Sequence, residues 1–90
     1  MLSGTLRAAA KGVAWAAFLN AGQTCASVER VYVEKPVAEA FLAKVLEETR
    51  GLRRAEKGRG GEMGPLALER QRRTVEEHVA DALAKGARAL

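Results

Sequence analysis

Large anchoring side chains are scarce: the chain has one Trp, one Tyr and two Phe, 4% of its residues. Aromatic side chains bury about 150–250 Å² each. The apolar content, 48% overall, therefore leans on Ala, Leu and Val, which bury less area apiece. There is one cysteine, so no internal disulfide can form and no cysteine-based zinc spacing exists. No window holds the roughly 18 apolar residues of a membrane span. The opening residues, MLSGTLRAAAKG, lack the sustained apolar run of a secretion signal. These absences point to a reduced, cytoplasmic protein with no membrane contact.

Ninety residues suffice for one small domain, residues 1–90. At that size only roughly 60% of the unfolded chain's surface can be buried, so stability is marginal without a partner. The formal net charge is +4 and the basic residues are spread, with one denser stretch at Arg50, Arg53, Arg54, Lys57 and Arg59. No aromatic residues interleave with that stretch to stack on bases. It reads as a solvated basic loop, and nucleic acid is not expected as a partner.

The segment from about Thr5 to Asn20 is predicted to be a helix. It is rich in Ala, the best helix former, and Leu6, Ala9, Val13, Ala16 and Ala17 mark one side. Ser3 suits an N-cap, and Gly12 suits close packing against a neighbour. Trp15 and Phe18 stand at helical spacing and are expected to pack. Asn20-Ala21-Gly22 is a stop signal, followed by a loop of small residues around Cys25. In Val28–Val33, Val31 and Val33 alternate with Arg30 and Tyr32, which predicts a strand closed by Lys35-Pro36. A second helix is expected over Val37–Arg50, with Val37, Phe41, Val45 and Leu46 as its apolar stripe and Gly51 as its stop. Leu52–Met63, with three glycines and several charges, reads as a flexible loop. A third helix is expected from about Ala67 to Lys85, with Leu68, Val75, Val79, Ala82 and Leu83 buried and Gly86 as its terminator. His78 is expected at its surface, with Glu76 and Glu77 as solvated charges within reach of Arg72 and Arg73. Ala87–Leu90 resembles the opening of another strand. The order helix–strand–helix–helix–strand predicts an α/β fold with an incomplete sheet. Two short strands are marginal in water, so exposed strand edges and apolar helix faces favour a homo-oligomer or another protein chain as partner.

The run Phe18-Leu19-Asn20-Ala21-Gly22-Gln23-Thr24-Cys25-Ala26-Ser27-Val28-Glu29 resembles the cysteine active-site signature of the NAD(P)-dependent aldehyde dehydrogenases. Gly12–Phe18 is similar to that family's helix leading into the site, and Glu29–Val33 to the strand after it. Glu62-Met63-Gly64-Pro65-Leu66 resembles its Met-Gly-Pro-Leu turn. The resemblance covers nearly the whole chain. One departure is Gly51–Arg59, where the family usually has a Gly-Asp-Pro turn.

A lone cysteine is by default a small buried residue; the resemblance is what places Cys25 at the nucleophile. It implies part of the family's catalytic domain. In the family the cysteine thiolate attacks the aldehyde carbonyl, hydride passes to NAD or NADP, and a glutamate base activates water to release the acid. The backbone N–H at the cysteine contributes to the oxyanion hole. Neither Glu29 nor Asn20 matches the family's base or its oxyanion-hole asparagine, and no Gly-x-Gly-x-x-Gly follows a strand. The expectation is a fragment with Cys25 as its catalytic residue, binding no cofactor alone and inactive alone as an oxidoreductase. The alternatives are a small self-associating interaction module and a cofactor-free, cysteine-dependent esterase.

Overall fold

The computed structural model describes residues 2–55 and 60–90, with only the backbone for residues 2–4. Helix α1 spans Leu2–Phe18, α2 spans Lys35–Arg50 and α3 spans Glu69–Ala84. A 3-10 turn, Leu19–Gly22, closes α1. Helix α1 starts before Ser3, so that residue lies in the first turn and not ahead of it. Pro36 falls in the first turn of α2, where its missing N–H costs nothing, so it opens a helix instead of only ending a strand.

The predicted α/β order, helix–strand–helix–helix–strand with an incomplete sheet, is not adopted. The described residues form three helices, no sheet, and one isolated parallel bridge between Arg54 and Met63. Residues 28–34 do run without helix or turn, as their alternation suggested. They lack a second strand to take their N–H and C=O groups. β-Propensity measures fit to a pleated, partnered surface, so without a partner the pattern yields extended chain and not a strand. Ala87–Leu90 is likewise unpaired.

The core is the contact between α1 and α2. Its buried residues are Ala10, Ala14 and Phe41. The buried line of α1 thus runs through Ala10 and Ala14, with Val13 half-buried, while Ala9 of the predicted stripe is exposed. Small side chains face α2 because its one aromatic, Phe41, fills the space between the helices. Gly12 is exposed, and a Cβ there would meet nothing within 4 Å, so it serves no close packing. Trp15 is 68% exposed and is not packed as its spacing suggested.

Helix α3 packs on neither other helix. Leu68, Val75, Val79 and Leu83, predicted to be buried, are 39–52% exposed. Its amphipathic stripe is real, but nothing covers it. The helix ends as the sequence indicates. Gly86 has φ 98°, its N–H donates to Leu83 O (3.2 Å), and the Ala87 N–H donates to Ala82 O (3.0 Å). That pair of bonds is a Schellman motif, which a glycine in the left-handed region allows. His78 is exposed, Arg72 pairs with Glu69 and with Glu76, and Lys85 pairs with Asp81.

A folded monomer of 9.6 kDa exposes about 5,100 Å². This chain exposes 7527 Å². The excess measures how much apolar and backbone surface the α1–α2 contact leaves open.

Candidate functional site

Cys25 is exposed and lies between the end of α1 and the extended residues 28–34. Three successive residues with positive φ turn the chain after α1: Asn20 (54°), Ala21 (56°) and Gly22 (77°). Asn tolerates this region; Ala does so at a cost of roughly 1–2 kcal/mol. Reciprocal bonds hold the turn. Asn20 Nδ2 donates to Gln23 O (3.2 Å), and Gln23 Nε2 donates to Asn20 O (2.9 Å).

The far side of the loop is held by the end of α1. The Ser27 hydroxyl lies 3.4 Å from both Ala16 O and Ala17 O, and the Val28 N–H donates to Ala16 O (3.3 Å). These are carbonyls that the last turn of a helix leaves without an intrahelical donor. Between the two anchors, the Ser27 N–H donates to Thr24 O (3.0 Å), closing a tight turn with Cys25 as its first central residue. Among the described residues, the Cys25 N–H donates to no acceptor, so it is free to meet an oxyanion beside the thiol. An exposed sulfur beside an unbonded N–H, on a loop pinned at both ends, is an arrangement suited to attack on a carbonyl carbon.

Gln23 also reaches across the chain: its Oε1 accepts from the Ala67 N–H at 2.8 Å. This bond joins the cysteine loop to the turn that opens α3. The sequence marked Gln23 only as part of a motif and Ser27 only as small. The i, i+3 spacing of Asn20 and Gln23 around a helix stop was the available signal for the reciprocal pair. Nothing local to Ser27 announces its bonds to Ala16 and Ala17.

The described base of the 52–63 loop is hydrogen-bonded, and residues 56–59 of the stretch read as a flexible loop lie outside the described residues. Ala55 N–H donates to Met63 O (2.7 Å) and Glu62 N–H to Arg53 O (2.9 Å). The Arg53 guanidinium pairs with Glu62 at 3.1 Å, and the Arg53 N–H donates to the same carboxylate at 2.8 Å. The guanidinium bond, helped by the backbone N–H, holds the Glu62 carboxyl below its ordinary value. Gly61 is needed here: a Cβ would come within 2.7 Å of Arg53 O. Lys57 and Arg59 of the basic stretch lie outside the described residues. A shallow groove lined by Ala14, Trp15, Phe18, Leu19, Leu52, Glu62 and Met63, about 310 Å³, runs between α1 and this loop.

Neither α2 nor α3 opens from a glycine-rich turn of the kind that holds the phosphates of a nicotinamide dinucleotide. Phosphates are held by glycine-rich turns that open helices after a strand. Helix α2 opens instead after Val33-Glu34, and α3 after Ala67-Leu68 with Glu69 in its first turn. A carboxylate at each of those positions repels an anion. Asn20 is spent on its own turn. Glu29 is exposed on the extended segment and has no bond to the cysteine loop. No helix among the described residues is long and apolar enough to cross a membrane.

The family model described as "Aldehyde dehydrogenase family" matches residues 3–90. A candidate succinate-semialdehyde dehydrogenase (NADP+) of Mycolicibacterium smegmatis is 49% identical over 83 residues, covering 91% of this chain and 16% of that protein. A candidate succinate-semialdehyde dehydrogenase (NADP+) 2 of Mycobacterium tuberculosis strain H37Rv is 44% identical over 82 residues, covering 90% of this chain and 16% of that protein. The 3-sulfolactaldehyde dehydrogenase of Pseudomonas putida is 42% identical over 81 residues, covering 89% of this chain and 17% of that protein. The chain thus spans about one sixth of the length of these relatives. No solved structure matches it.

Proposed function

The chain belongs to the aldehyde dehydrogenase family, and on that premise we propose that it is a catalytic-cysteine segment whose nucleophile is Cys25. The observation that carries this reading is the geometry at Cys25. The thiol is exposed on a tight turn, with its own N–H unbonded and both flanks fixed to α1.

The chemistry of these residues stops early. The Cys25 thiolate adds to an aldehyde carbon; a C–S bond forms and the carbonyl electron pair moves to oxygen, next to the Cys25 N–H. The next step of the family's chemistry would need NAD or NADP held beside that carbon as hydride acceptor. Among the described residues there is no glycine-rich cradle at the start of α2 or α3 and no carboxylate bonded to the cysteine loop, so the adduct collapses back to aldehyde. Taken alone, the chain is an inactive oxidoreductase. The names of the relatives supply the substrate class: a short aldehyde with an anionic group at its far end, a carboxylate or a sulfonate. The net charge of +4 agrees with an anionic substrate.

The exposed thiol also favours a second reading, slow cofactor-free esterase activity. An ester's alkoxide leaves as the thioester forms, and water then hydrolyses the thioester, so no electron acceptor is required.

The test is the acetylation of Cys25 by p-nitrophenyl acetate, followed by intact mass, on folded protein and on protein in urea. The folded chain should react faster by about tenfold, below the 10²–10³ contributed by one oxyanion donor in a complete site. Equal rates would mean that the loop does nothing for its cysteine. Release of p-nitrophenol beyond one equivalent, abolished by Cys25→Ala, would establish the esterase.

A further inference from the structure

We propose that α3 pairs antiparallel with α3 of a second copy of this chain, through the stripe Leu68, Val75, Val79 and Leu83. This goes beyond the cysteine chemistry and does not depend on it.

The stripe is half exposed at every position, and α3 rests on neither other helix. The chain exposes about 2,400 Å² more than a folded monomer of its mass. A standard interface covers about 800 Å² per partner, so the excess leaves room for one.

The charges of α3 select both the partner and its direction. The first half holds Glu69 against Arg70, Arg72 and Arg73, a net charge of +2. The second half holds Glu76, Glu77 and Asp81, a net charge of −3 with His78 neutral. Both run against the helix's own dipole, whose positive end is at the N-terminus. A parallel pair would set like halves side by side. An antiparallel pair sets each basic half beside an acidic half and also opposes the two dipoles. At 100° per residue, Arg72 falls between Val79 and Leu83 on one flank of the apolar stripe, and Glu76 falls just beyond Leu83 on the same flank. In a two-fold antiparallel pair that flank faces its own copy, so Arg72 of each chain meets Glu76 of the other. Within one chain Arg72 already bonds to Glu69 and Glu76, so pairing between two chains exchanges those partners for their counterparts on the other copy.

The competing occupant of the stripe is the apolar groove lined by Val13, Val31, Val33, Ala38, Phe41, Leu42 and Val45, about 290 Å³, on the α1–α2 side of another copy. Charge exchange separates the two arrangements. In Arg72→Glu, the facing positions 72 and 76 are all acidic; in Glu76→Arg they are all basic. Each variant should self-associate about tenfold more weakly than the wild type. An equimolar mixture restores opposite charges on both sides and should associate at least as tightly as the wild type. Sedimentation equilibrium of the full chain, with far-ultraviolet circular dichroism to follow helix content, reads this out. The expected wild-type species is twice 9.6 kDa. A wild type that stays monomeric at its highest soluble concentration overturns the proposal. So does equal self-association of all three chains, or weakened variants that fail to recover when mixed, since docking in the α1–α2 groove would not couple positions 72 and 76.

Discussion

The cysteine loop and α3 are held in opposite ways. The loop around Cys25 is fixed almost entirely by hydrogen bonds, from Asn20, Gln23, Ser27 and Val28, and buries little. Helix α3 has every local device of a stable helix: i, i+3 and i, i+4 ion pairs, a Schellman end and an apolar stripe. Yet it packs on no other helix among the described residues. Local chemistry is enough to shape a turn or end a helix. Burial is different, because it needs a second surface that the chain does not supply for α3. The cysteine loop keeps its form where its neighbours in sequence determine it, and the stripe is left half exposed.

Phe41→Ala should break the comparison most sharply. Removing the largest buried side chain costs about 3–5 kcal/mol, more than a core of Ala10, Ala14 and Phe41 can lose. The α1–α2 contact and the cysteine loop should unfold together, while α3 retains its helical content. Site-resolved hydrogen exchange checks this, and simultaneous loss of α3 would show a coupling that the packing does not contain.

Gly61→Ala acts at the base of the 52–63 loop. The backbone of Arg53, Arg54 and Ala55 must move to admit the new methyl, at about 1–3 kcal/mol. The Arg53–Glu62 pair should open, read by the chemical shift of the Glu62 carboxyl. At Ala21 the change goes the other way. Ala21→Gly relieves a left-handed alanine and should stabilise the loop by about 1 kcal/mol. Gly12→Ala, in open space, should stabilise α1 by a similar amount, about 1 kcal/mol. Thermal unfolding measures both.

These positions show how far the sequence could be read. The three helices, their approximate ends, the stop at Asn20–Gly22 and the terminator at Gly86 were legible because each is a local signal. The family was legible from a dozen consecutive residues around Cys25. The α/β arrangement was not borne out, because Val28–Val33 carries a strand's alternation and the described residues provide no strand to pair with it. The buried face of α1 was misplaced by one position, onto Ala9 in place of Ala10, because an Ala-rich helix has little contrast between its faces. The packing expected of Trp15 and of the α3 stripe failed for the same reason as the sheet.

The smallest effect is acidic. The Glu62 carboxyl is held below its ordinary 4.5 by Arg53, and Glu69 is lowered in the same way by Arg72. A carboxyl whose folded value is depressed contributes stability that is fully present above its unfolded value. That contribution is lost as pH falls below 4.5 through the folded value. Both groups are exposed, so the loss should be slight and should weaken further with salt. Carboxyl titrations of the two residues, with and without added salt, test this.

The central claim is that these 90 residues present the family's nucleophile without its oxidoreductase chemistry. The most direct measurement mixes the folded chain with NADP+ and succinate semialdehyde and follows the absorbance of reduced nicotinamide, with Cys25→Ala as control. Acetylation of Cys25 by p-nitrophenyl acetate is measured on the same sample. The account predicts a Cys25-dependent acyl adduct and no reduced nicotinamide. Sustained nicotinamide reduction that disappears in Cys25→Ala would contradict it, because the chain would then be holding a dinucleotide beside its cysteine.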